Sequence, residues 1–91
     1  MALMILGFEV ENYDEWKQLF DSDPAGRKAV AKGHRLSRSV DNPNEVYVAV
    51  DFPAADDARA VLGRLTESGV LERFRPTLGP VITEVVEETT Y

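Results

Sequence analysis

The side chains able to do chemistry are concentrated in one hairpin. His34 is the only histidine among 91 residues and there is no cysteine, so it is the side chain whose ordinary pKa lies nearest neutrality. Arg38, Tyr47 and Asp51 surround it on two runs separated by Asp41-Asn42-Pro43-Asn44. That cluster reads as a loop, because Asn and Asp accept turn conformations and Pro43 cannot donate to a strand ladder. A loop of even length places even-numbered residues of the first run on the same face as odd-numbered residues of the second. One face then carries His34, Leu36, Arg38 and Val40 with Glu45, Tyr47, Ala49 and Asp51. If Val40 faces Glu45, Arg38 lies opposite Tyr47 and His34 opposite Asp51, with β-carbons about 5 Å apart. The expected chemistry is acid-base: His34 as a base oriented by Asp51, with Arg38 and Tyr47 donating to a developing oxyanion. The same residues also suit a partly exposed sheet face or a polar subunit seam.

A second group is aromatic. Tyr13, Trp16 and Phe20 recur at helical spacing and can wall a pocket for a flat ligand, although this spacing is equally that of core packing. Arg27, Lys28, Lys32, Arg35 and Arg38 hold five of the ten cations within twelve positions. They can draw a carboxylate or phenolate ligand toward an otherwise acidic molecule, or simply form a solvated face.

Other chemistries are excluded by what is missing. A net charge of −6 makes nucleic acid a poor partner, since binding there begins with cationic neutralisation of phosphates. Without cysteine there is no disulfide scaffold, thiolate zinc site or cysteine nucleophile, and one histidine cannot build a multi-histidine metal site. No glycine-rich phosphate loop or Gly-x-Ser-x-Gly elbow occurs, so neither cofactor nor metal is expected. Glu84, Glu87 and Glu88 read as the wet edge of a final strand.

These residues must be positioned by a small set of elements. Leu3 to Val10 is apolar on both faces, as in a strand covered on two sides. Asn12 or Asp14 can cap a helix with the stripe Trp16, Leu19 and Phe20. Asp23-Pro24 then restarts the helix, with Asp23 as cap, and Gly33 stops the second piece near Lys32. A strand over His34 to Val40 forms a hairpin with the alternation Val46, Val48, Val50, Phe52. Ala54 to Ser68 reads as a helix with Asp56 and Asp57 in its first turn and Gly69 as its stop. Val70 to Phe74 adds a turn, Pro76, Gly79 and Pro80 mark a loop, and Val81 to Glu87 is the last strand.

The resulting order is β-α-β-β-α-β, an α+β ferredoxin-like arrangement in a single domain spanning residues 1–91: a four-stranded antiparallel sheet with both helices on one face. The other face is left uncovered, and the first strand is too apolar to leave it wet. A second sheet from an identical subunit is expected to cover it. The apolar N-terminal run Met1 to Phe8 lacks a basic leader and is far short of the ~20 residues of a membrane span, so a soluble, cytoplasmic protein without membrane contact is expected.

The sequence is also similar to a known family. Glu11-Asn-Tyr-Asp-Glu-Trp-Lys17, Arg27 and Gly33, the hairpin Arg38-Ser-Val-Asp-Asn-Pro-Asn-Glu-Val46, Asp51-Phe52 before an Ala-rich helix, and Gly69-Val70 resemble the dimeric α/β-barrel proteins. The branch concerned is antibiotic-biosynthesis-monooxygenase-like, or small "cyclase". The resemblance implies a homodimer whose sheets pack together and a ligand cavity in each subunit between sheet and helices. It implies cofactor-independent chemistry on an aromatic or polyketide-like small molecule, by cyclisation or oxygenation, with Trp16 a loose counterpart of the monooxygenases' tryptophan. A non-catalytic binding or assembly module of the same fold is the alternative.

Overall fold

The computed structural model covers residues 1–91. It contains strands β1 (Ala2–Glu9), β2 (Gly33–Arg38), β3 (Glu45–Phe52) and β4 (Pro76–Glu84), with helices α1 (Tyr13–Asp21), α2 (Ala55–Glu67) and the short α3 (Val70–Arg73). The strands form one sheet in the order β2-β3-β1-β4, and every neighbouring pair is antiparallel. No helix is long and apolar enough to cross a membrane.

The period-2 pattern decides which face is buried. Met4, Leu6 and Phe8 of β1 pair with Val50, Val48 and Val46 of β3, and all six are buried against Trp16, Ala58 and Val61 of the helices. Strand side chains alternate, so Leu3, Ile5 and Gly7 lie on the far side with Asp51, Ala49 and Tyr47. No helix covers that side: Leu78 and Val81 of β4, the partners there of Gly7 and Ile5, are 46% and 43% exposed.

Three expectations are corrected. Residues after Pro24 do not form a second helix: only a 3₁₀ turn, Arg27–Ala29, follows. Gly26 is left-handed at φ 67° and Asp23 at φ 57°, so the chain turns twice where a helix would have to run on. Asp23 still caps, its carboxylate accepting from the backbone N–H of Arg27 at 2.8 Å and of Lys28 at 3.2 Å. Strand β2 ends at Arg38, and Val40 is a loop residue, 98% exposed. Pro76, Gly79 and Pro80 lie inside β4. That strand is an edge, where a missing N–H leaves no ladder bond unmade, and its register shifts against β1 on either side of Gly7 absorb the irregularity. Residues 85–91 lie beyond the strand, Glu87 and Glu88 among them.

Candidate functional site

The observed hairpin register separates the expected acid-base set. Gly33 pairs with Asp51, His34 with Val50, Ser37 with Tyr47 and Arg38 with Val46. This is a one-residue shift from His34 opposite Asp51, and such a shift moves every β2 side chain to the other face. His34 and Arg38 therefore stand on the helix side, with Asp51 and Tyr47 on the open side. Neither His34–Asp51 nor Arg38–Tyr47 forms. The cause lies in the loop. Ser39 closes the ladder through its N–H to the Glu45 carbonyl at 3.0 Å, and its Oγ accepts from the N–H of Asp41 at 3.3 Å and Asn42 at 3.2 Å. The serine hydroxyl thereby makes Val40 to Asn44 the loop, an odd number of residues.

Each side chain finds other partners. The His34 ring meets Phe20 edge-on at 5.0 Å. Partial desolvation, then the charges of Arg27 and Lys17, lower its pKa from the usual 6.5, although His34 is an exposed residue. Arg38 donates from Nε to the Pro43 carbonyl at 2.7 Å and lies over the Tyr13 ring at 4.1 Å. On the open face, Tyr47 packs over Gly7, where an added β-carbon would come within 3.1 Å of its ring. The Tyr47 hydroxyl donates to Glu45 Oε1, and that bond raises its pKa above 10. Asp51 is half-buried across from Leu3.

Helix α1 delivers the aromatic group. The Asn12 side chain accepts from the Glu15 N–H at 3.1 Å, which starts the helix with Trp16 as its one buried residue. Trp16 stacks on Phe20 at 5.3 Å, meets Phe8 of β1 at 5.6 Å and Tyr13 at 6.1 Å. Trp16 and Phe20 line a cavity of about 70 Å³ between the sheet and the helices, whereas Tyr13 does not. Trp16 belongs both to the core and to the cavity wall, since the cavity lies within the core.

Fourteen of the seventeen lining residues are hydrophobic, and the only charged ones are Asp23 and Arg27. Within the basic cluster, Lys28, Lys32, Arg35 and Arg38 are exposed, but Arg27 is only 7% exposed. Its guanidinium lies on the Phe20 ring at 3.6 Å. Nη1 donates to the Phe20 carbonyl at 2.8 Å and to Asp23 Oδ1 at 3.1 Å. Burial lowers its pKa while Asp23 opposes the shift, and a guanidinium stays charged throughout. Nε and Nη2 are buried with no partner at all, a state that costs about 1–3 kcal/mol per donor.

The sequence leaves Arg27 as one of five clustered cations that either draw a carboxylate or phenolate ligand or form a solvated face, and marks Asp23 only as a cap. A one-dimensional pattern treats every cation alike. The available signal was the spacing of Phe20, Asp23 and Arg27, which lets one arginine be stacked and paired after a sharp turn.

No protein-family model and no curated protein matches the chain. Among solved structures it is similar to a dimeric ferredoxin-like protein from an uncultured marine organism, with a TM-score of 0.63 and 13% identity over 99% of this chain and 98% of that one. It is also similar to the Rv0793 protein of Mycobacterium tuberculosis, with a TM-score of 0.60 and 15% identity over 98% of each chain. Strand order, helix placement and these two likenesses agree: the chain has the ferredoxin-like fold.

Proposed function

We propose that this chain is a homodimeric small-molecule-binding domain whose ligand enters the apolar cavity between sheet and helices. The observation that carries the reading is the cavity itself, walled by Phe8, Trp16 and Phe20 and floored by valines of β3. Apolar pockets with few convergent polar groups are the usual form of a ligand site. The open sheet face supports the dimer: Leu3, Ile5, Ala49 and Val81 form an apolar strip that no element of the chain covers. A structural neighbour is described as dimeric. In this reading Asp51 and Tyr47 belong to the seam between copies.

A catalytic reading is favoured by one further observation, His34 edge-on to Phe20 of the cavity wall at 5.0 Å, with its pKa lowered. There the protein is a cofactor-independent cyclase or monooxygenase of an aromatic or polyketide-like molecule. His34 removes a substrate proton after Phe20 turns aside, and Arg27 stabilises the enolate or phenolate. Loss of turnover in His34→Ala supports it, and unchanged turnover of a confirmed substrate refutes it. Binding is tested by methyl NMR with toluene. The Val48, Val50, Val61 and Leu65 methyls shift saturably while those of Val40 and Val86 stay fixed. Shifts spread over the surface, or none, contradict the cavity as the site.

A further inference from the structure

We infer that the cavity ligand is a small monocarboxylate with a flat, apolar body, held by the Nε and Nη2 edge of Arg27. The inference rests on the cavity reading and adds the chemical class of the ligand.

Arg27 is built as a receptor for one anionic group. Its guanidinium is fixed from one side, with Nη1 on the Phe20 carbonyl at 2.8 Å and Asp23 Oδ1 at 3.1 Å, and its flat face lies on Phe20 at 3.6 Å. The two nitrogens left without a partner, Nε and Nη2, are buried and form one edge of the fork. Two parallel N–H groups on one guanidinium edge match the two oxygens of a carboxylate. A buried donor pair without an acceptor is rare in folded proteins and marks a place where a partner belongs.

The surroundings narrow the anion further. Neighbouring cations are already engaged: Lys17 pairs with Asp21 at 2.6 Å and Lys28 Nζ donates to the Asp21 carbonyl at 3.0 Å. Arg64 Nε donates to the Ala25 carbonyl at 2.8 Å. A single available cation, half-neutralised by Asp23 in a chain of net charge −6, suits one negative charge and not the two of a phosphate monoester. The rest of the wall is apolar and aromatic, so the carboxylate must carry a hydrophobic, flat body.

Size sets the last limit. The cavity of about 70 Å³ is roughly half the ~150 Å³ that accepts benzene in an engineered apolar cavity. A one-ring acid therefore fills it and displaces its cover. The cover is suited to yielding, since α1 contributes one buried residue and the segment after it is only a 3₁₀ turn.

The test uses benzoate, its neutral isostere benzamide, and toluene. Binding is followed by Trp16 fluorescence, the single tryptophan of the chain, and by the Arg27 side-chain Nε–H signal in ¹⁵N NMR. The expected result is saturable benzoate binding that moves the Nε–H signal, with benzamide weaker by roughly 10- to 100-fold, the worth of a charge-assisted bidentate contact. Arg27→Gln should bring benzoate down to the benzamide level. If wild-type protein binds benzamide as tightly as benzoate, or binds toluene and not benzoate, the carboxylate assignment is overturned while the cavity reading stands. If none of the three binds, both fall. The wild-type comparison of benzoate with benzamide decides the question even where Arg27→Gln fails to fold.

Discussion

Placing a carboxylate in the middle of the open sheet face should dissociate the proposed dimer. Ile5 sits there, paired with Ala49 of β3 and Val81 of β4. Four strands about 4.8 Å apart and about eight residues long present roughly 500 Å² per copy. Two such faces bury about 1,000 Å², near the lower bound for a specific interface. In Ile5→Asp a two-fold contact buries two carboxyl groups. Each can escape desolvation by taking up a proton, and lifting an ordinary Asp pKa of about 3.9 to pH 7 costs about 4 kcal/mol. The ceiling for the pair is thus about 8 kcal/mol at pH 7 and about 4 kcal/mol at pH 5.5. Even half the upper figure weakens association about 1,000-fold. Sedimentation at about 10 μM should report wild type at twice the 10.1 kDa chain mass and Ile5→Asp at the chain mass, with partial recovery at pH 5.5. Val86→Asp, at a site 96% exposed and outside the sheet, should stay dimeric. An Ile5→Asp protein as dimeric as wild type at pH 7 would refute this interface.

Other consequences concern the cavity and its lining. Trp16→Ala removes the one buried side chain of α1 and should lower unfolding stability by about 3–5 kcal/mol, read from the urea midpoint. Asp23→Ala leaves buried Arg27 without its counter-ion and strips the 3₁₀ turn of its cap; a loss of about 3 kcal/mol or more is expected, with Asp23→Asn milder because its Oδ1 can keep the Arg27 N–H. For His34 the folded pKa lies below the unfolded 6.5, so the unfolded chain binds more protons in that window. Stability is then level above about pH 6.5 and falls as pH drops toward the folded value. His34→Gln should remove that slope in denaturation curves recorded between pH 7 and 5.5, and an unchanged slope would show that His34 is not its source.

Much of the fold was legible because alternation and caps are local. Met4, Leu6 and Phe8 in one strand and Val46, Val48 and Val50 in another each alternate as a strand face, and Asn12 and Gly69 mark helix ends where expected. What escaped was decided by single side chains acting on the backbone. The Ser39 hydroxyl set the loop length and so turned His34 and Arg38 away from Asp51 and Tyr47. The left-handed Asp23 and Gly26 broke the helix and carried Arg27 inward from a run of otherwise solvated cations. The aromatic wall was half legible: helical spacing brought Trp16 and Phe20 to the cavity but left Tyr13 under Arg38.

The space between the sheet and α1 is the proposed ligand site, with Arg27 as its charged end. A crystal structure of the protein grown with benzoate tests it directly. Density is expected for the ring between Trp16, Phe20 and the β3 valines, with the carboxylate against Nε and Nη2 of Arg27. Benzoate bound only elsewhere, or an Arg27 edge still without a partner beside an empty cavity at saturating benzoate, would contradict it.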